Sequence, residues 1–144
     1  MPLAKVMLVD DEQPFVEAMS RRLAKRDLKV CTAFGGTEAL EKLRQEPDVD
    51  VVILDVKMPG MDGVETLREI KKGFPLVEVI MLTGHATVES AIEGMKLGAY
   101  DYLMKPCDMD QLMTKIAEAT ARKAEHEQKI LEARMRQITL HMGS

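Results

Sequence analysis

The chain has 144 residues, of which 46% are hydrophobic and 31% charged, with a net charge of −4. That is enough chain for one domain with a real core, and the composition is ordinary for a globular protein. The acidic balance argues against a dominant nucleic-acid surface; no apolar run nears the length of a membrane span and no signal-peptide segment opens the chain, so a cytoplasmic protein is expected.

Short apolar runs alternate with amphipathic stretches. Lys5 to Val9 is a near-continuous apolar run and reads as a strand buried on both faces. Pro14 suits a first helical turn, and Phe15, Met19 and Leu23 follow at helical spacing. Val30 to Phe34 reads as a second strand, broken by Gly35 and Gly36, with Thr37 as the cap of a helix carrying Ala39, Leu40 and Leu43. Val49 to Val56 is the strongest strand signal. Pro59, Gly60 and Gly63 mark the loop after it, and Val64, Leu67 and Ile70 the next helix. Val77 to Leu82 reads as a fourth strand ending at Thr83-Gly84, followed by a helix marked by Val88, Ile92 and Met95 and stopped near Gly98. Ala99 to Met104 is the fifth strand. Asp108 caps a long last helix that begins with Met109, Leu112 and Ile116.

Five strand–helix pairs in about 120 residues imply an α/β fold, an open doubly wound parallel sheet, because an eight-fold barrel needs about twice the length. Residues 1–120 form the expected domain. Residues 121–144 are rich in helix formers and read as a helical extension, a dimerising helix or a linker to an output domain. In it Ile130, Leu131, Met135 and Ile138 make a weak stripe, while His141 to Ser144 are read as a vector-derived tail. Cys31 and Cys107 form no CxxC pair and are expected to be free, buried thiols.

Polar residues stand at the ends of four strands: Asp10 and Asp11 at the first, Asp55 at the third, Thr83 at the fourth and Lys105 at the fifth. In a parallel sheet those ends share one edge, where ligands bind. Each residue alone is an ordinary turn or loop residue; the joint pattern carries the argument. Clustered carboxylates repel and raise one another's pKa unless a cation neutralises them. An oxygen-only set with open positions suits Mg²⁺, with Mn²⁺ as a substitute. Asp55 is then a candidate nucleophile forming an aspartyl-phosphate, with Lys105 supplying positive charge, the Thr83 hydroxyl a hydrogen bond and Gly84 room for the phosphoryl group.

The runs Val9-Asp10-Asp11, Leu54-Asp55-Val56-Lys57-Met58-Pro59-Gly60-Met61-Asp62-Gly63, Met81-Leu82-Thr83-Gly84-His85 and Tyr100-Asp101-Tyr102-Leu103-Met104-Lys105-Pro106 resemble the receiver domains of two-component response regulators, over about residues 3 to 120. The resemblance implies a flavodoxin-like five-stranded sheet in the order 2-1-3-4-5. It implies Asp55 as phosphoacceptor from a sensor histidine kinase, and a cis Lys105-Pro106 peptide. It also implies Mg²⁺ held by Asp11, Asp55 and the Lys57 backbone carbonyl, with Asp10 acting largely through water. Thr83 and Tyr102 would be the switch residues, and Lys57 and His85 would tune dephosphorylation. The fourth helix, fifth strand and fifth helix would form a face that repacks, controls an output read out as transcription, and supports a phosphorylation-dependent homodimer. Beyond self-phosphorylation and autodephosphorylation no enzymatic turnover is implied.

The run Thr83-Gly84-His85-Ala86-Thr87 resembles receivers joined to ATPase-type transcriptional output domains, although the chain carries no GxxxxGK[ST] motif and no evident DNA-binding helix pair. Two other readings compete. An aspartate-nucleophile phosphatase would want a second acid two residues after its nucleophile; Asp10 and Glu12 have that spacing, whereas Asp55 is followed there by Lys57. A nucleotide-binding module would want glycines after the first strand, where acids stand.

Overall fold

The computed structural model describes residues 3–143, so Ser144 of the C-terminal tail lies outside the described residues. The elements run in strict alternation: β1 (Ala4–Val9), α1 (Gln13–Ala24), β2 (Leu28–Ala33), α2 (Gly36–Gln45), β3 (Val51–Leu54), α3 (Gly63–Gly73), β4 (Glu78–Thr83), α4 (Val88–Lys96), β5 (Asp101–Met104) and α5 (Met109–Met142). All five strands are parallel, in the order β2-β1-β3-β4-β5. The order reverses between β1 and β3, which opens a crevice at their carboxyl ends.

Both faces of the sheet are covered. Val6 and Leu8 point to the core shared with α1 and α5, while Met7 and Val9 point to the core shared with α2 and α3. This two-residue alternation is the strand's own geometry, and it is why β1, β3 and β4 read as unbroken apolar runs. Pro14 falls in the first turn of α1 as expected.

Several local expectations are corrected. Thr37 lies inside α2, whose cap is Gly35; the Glu38 carboxylate instead accepts the Phe34 N–H at 2.7 Å. Cys31 and Cys107 are free but only half-buried. Burial first, and then the nearby Glu46 carboxylate, push the Cys31 thiol up to about 11. Val88, Ile92 and Met95 mark α4 but face outward, Val88 being 77% exposed. The buried residue of that helix is Gly94, where an added Cβ would lie 3.8 Å from both Met81 and Tyr102. A helix that approaches the sheet through a glycine turns its bulky stripe to solvent.

At the edge of the sheet opposite the crevice, charged groups tie α5 down. Glu78, 1% exposed, pairs with Lys71 of α3 at 3.1 Å and with the Arg122 guanidinium of α5. Lys123 reaches Asp50 at 3.3 Å. Lys123 is also the last buried residue of α5, and Ile130, Leu131, Met135 and Ile138 are exposed on the free part of that helix. Among the described residues no helix is long and apolar enough to cross a membrane.

Candidate functional site

Asp10 and Asp55 each follow directly on a strand. Because Val9 and Leu54 are register partners on the adjacent strands β1 and β3, the two aspartates emerge side by side. The Asp55 N–H donates to the Val9 carbonyl at 3.0 Å, which fixes that geometry. Thr83 closes β4, and the Lys105 N–H donates to the Thr83 carbonyl at 2.9 Å, which brings β5's end to the same rim. The Lys105-Pro106 peptide is cis. The structure therefore brings together Asp10, Asp11, Asp55, Thr83 and Lys105.

One carboxylate oxygen from each of Asp10, Asp11 and Asp55 lies within 4.8 Å of the others. Asp10 and Asp55 are 1% and 2% exposed, whereas Asp11 is open to solvent. Asp10 has both oxygens engaged: Oδ2 accepts from Lys105 Nζ at 2.6 Å and Oδ1 from the Glu12 N–H at 2.9 Å. Asp55 differs. Its Oδ1 accepts from the Val56 N–H at 2.8 Å, and its second oxygen has no hydrogen-bond partner among the described residues. A buried carboxylate with one unused oxygen facing two further acids suits a hard dication with oxygen ligands, so the residues present fit Mg²⁺.

Lys105 is held on the Asp10 side of the pocket. Its ammonium also lies 3.5 Å from Glu12 and 3.8 Å from the centre of the Phe15 ring. Burial pulls the Lys105 pKa down, but the Asp10 hydrogen bond and the charges of Asp10, Asp55 and Glu12 outweigh it and leave it above its ordinary value. Burial raises the Asp10 carboxyl, and the Asp55 charge adds to it; the bonds from Lys105 and Glu12 offset this only in part.

Thr83 is fully buried, and its Oγ1 accepts the His85 N–H at 3.0 Å. Its own hydroxyl proton has no acceptor among the described residues. Tyr102 is half-buried, and its hydroxyl lies 2.8 Å from Ser90 Oγ. Ser90 in turn forms a capping box with Thr87 at the start of α4. Lys57 and His85 are exposed and line one shallow cavity with Asp11, Glu12 and Met58.

Three residues with a part in this geometry escaped sequence reasoning: Phe15, Ser90 and Gly63. The Thr-x-x-Ser spacing from Thr87 was a legible signal for Ser90. Gly63 was noted only as a loop glycine, yet an added Cβ there would lie 1.9 Å from the Asp55 carbonyl oxygen. Its N–H donates to the Val56 carbonyl at 2.6 Å and so braces the backbone that presents Asp55.

Comparisons with known proteins agree with this architecture. The family model described as the response regulator receiver domain matches residues 6–117. The transcriptional regulatory protein ZraR of Klebsiella oxytoca is 39% identical over 116 residues, covering 81% of this chain and 26% of that protein. A response regulator receiver domain protein from Clostridium thermocellum superposes with a TM-score of 0.80 at 40% identity, covering 84% of this chain and 97% of that one. NtrX from Brucella abortus, solved with ADP, superposes with a TM-score of 0.80 at 28% identity over 95% of this chain and 30% of its own. The chain thus spans about a quarter of the length of the curated relative and under a third of NtrX. With the family model matched across all five strands and the acids gathered at the rim of the sheet, the chain belongs to the response regulator receiver domain family.

Proposed function

We propose that Asp55 is the phosphoacceptor of a two-component phosphotransfer, fed by a sensor histidine kinase. The observation that carries this reading is the unused oxygen of buried Asp55, set against the doubly engaged carboxylate of Asp10. The Asp55 oxygen attacks the phosphorus of a phosphohistidine; the P–O bond forms, the P–N bond breaks, and the departing imidazole nitrogen takes a proton. Asp10, Asp11, Asp55 and the Lys57 carbonyl would hold Mg²⁺, which when bound neutralises the charge that gathers on the phosphoryl oxygens. Lys105 is within the same pocket and can leave Asp10 for the new phosphoryl group. The engagement of both Asp10 oxygens argues against Asp10 as the nucleophile of a phosphatase.

The response would start at Thr83, whose spare hydroxyl proton can be donated to a phosphoryl oxygen. Moving Thr83 disturbs its bond from the His85 N–H and hence the loop leading to Thr87 and Ser90. Ser90 would then release or re-place Tyr102, and the face of α4, β5 and α5 would repack for an output. The outward Val88, Ile92, Met95 and Met104 on α4 and β5 support that face as a docking surface, including for the phosphorylation-dependent homodimer. Lys57 and His85, at the mouth, would tune loss of the phosphoryl group. Because ZraR is named a transcriptional regulator and is much longer than this chain, the output is proposed to be transcription, through a segment not contained here.

Incubation with acetyl phosphate and Mg²⁺ is expected to add one phosphoryl group by intact mass, and EDTA to prevent it. No Mg²⁺-dependent mass gain would sink the reading. Thr83→Ala is expected to keep most of this labelling while shrinking the phosphorylation-induced amide shifts of α4 by at least about half, measured by NMR; undiminished shifts would remove Thr83 from the switch.

A further inference from the structure

We infer that Phe15 is a positioning residue for phosphoryl transfer: its ring face keeps the Lys105 ammonium inside the pocket and lets it pass from Asp10 to the phosphoryl group. This role rests on the reading of Asp55 as phosphoacceptor. Phe15 heads the apolar stripe of α1 but differs from the rest of it. Met19 and Leu23 are 6% and 0% exposed, whereas Phe15 is only half-buried and packs against the same core. Its ring centre lies 3.8 Å from Lys105 Nζ. With Met19, Leu82 and Pro106 it lines a cavity of about 330 Å³ beside that lysine. Packing alone asks for any apolar side chain at this place; a cation against the ring face asks for an aromatic one.

An ammonium carries three N–H donors. Asp10 Oδ2 takes one of them at 2.6 Å, and Glu12 Oε1 stands off at 3.5 Å. Glu12 is exposed, so an ammonium that moves to it enters water. The ring offers the charge an alternative that is dry and non-directional, because it attracts through its quadrupole rather than through a lone pair. Lys105 can therefore turn on the ring face toward a new phosphoryl oxygen without shedding a water shell first. The seat is built before Lys105 reaches it. The Glu12 N–H donates to Asp10 Oδ1 at 2.9 Å, the Val16 N–H donates to the Glu12 carbonyl at 3.0 Å, and Pro14 stiffens the turn between them. Asp10 and the ring thus share one short frame, and Lys105 arrives in it from the end of β5. Without the ring the ammonium is left to Glu12 and solvent, and its transfer starts from a hydrated position.

The test replaces Phe15 in the whole chain by leucine (Phe15→Leu) and, by site-specific incorporation, by mono-, di- and trifluorinated phenylalanine. Fluorine withdraws negative charge from the ring face and barely changes its size, so packing stays while the attraction for a cation fades step by step. The rate of labelling by acetyl phosphate at fixed Mg²⁺ is expected to fall in that order. In the trifluorinated and Phe15→Leu proteins it should be about five-fold below the parent, the equivalent of ~1 kcal/mol. Mg²⁺ affinity is expected to be unchanged, because the ring supplies no ligand to the metal. By NMR without any phosphodonor, the Lys105 Hε protons of the parent should lie upfield, shifted by the ring current, and return to their ordinary position in Phe15→Leu. Equal rates across the fluorinated series, unshifted Lys105 protons in the parent, or a rate that falls only together with Mg²⁺ affinity would overturn the proposal. A labelled parent with a flat series removes this role alone; an unlabelled parent removes the phosphoacceptor reading and this role with it.

Discussion

Asp55→Asn is expected to abolish labelling by acetyl phosphate or by a phosphorylated kinase, from near-complete modification to below detection. An amide nitrogen or its carbonyl oxygen is a poor nucleophile toward phosphorus, and the substitution also removes one of the three charges that draw in the metal. The neighbouring acids are badly placed to take over. Asp10 is clamped by Lys105 and the Glu12 N–H, and Asp11 is open to water. The variant should fold at least as well as the parent in EDTA. The Asp55 charge is one of the influences that raise Asp10, so its removal relieves a like-charge contact. Asparagine also keeps an oxygen for the Val56 N–H. A folded Asp55→Asn protein with undiminished acid-stable phosphoryl labelling would place the acceptor elsewhere.

Gly63→Ala is expected to lower stability by about 3 kcal/mol, toward the upper end of overpacking effects. The new Cβ would sit 1.9 Å from the Asp55 carbonyl oxygen, 2.6 Å from Val56 Cα and 2.8 Å from the Asp55 carbonyl carbon. All three are backbone atoms, so no side chain can swing aside. Either α3 backs away from the sheet or the peptide carrying Asp55 moves. Thermal unfolding should fall by roughly 10 °C for a chain of this size. Mg²⁺-dependent labelling should fall with it even below the transition, because the displaced carboxylate no longer faces Asp10 and Asp11. Gly84→Ala is the control: the nearest atom to its added Cβ is Lys105 Cβ at 4.0 Å, so unfolding should shift by no more than about 0.5 kcal/mol. Equal melting temperatures for the two variants would contradict the close approach at Gly63.

Much of the site was legible because it is built from strand ends. A strand buried on both faces leaves a long apolar run, and the first polar residue after it marks the rim of the sheet. Val9-Asp10, Leu54-Asp55 and Leu82-Thr83 are such boundaries, Met104-Lys105 ends the half-exposed edge strand, and the fold gathers all four at one edge. The helices were less legible on their own. The apolar period located α4 but not which way its stripe faced, since that depends on how closely Gly94 lets the helix approach Met81 and Tyr102. The Thr37 cap failed because the turn at Gly35-Gly36 starts the helix two residues sooner.

Local pattern by itself determined the alternation of strands and helices, the burial of the sheet on both faces and the residue types at its rim, because each depends on a period or a boundary along the chain. Tertiary structure alone decided that Lys105 rests on Asp10 and Phe15 while Asp55 keeps a free oxygen, that Gly63 abuts the Asp55 backbone, and that Ser90 meets Tyr102. Those are contacts between residues separated in sequence and joined only by packing. Their geometry is set by register and by how near two backbones can come, and neither quantity is written in the order of residues along one element.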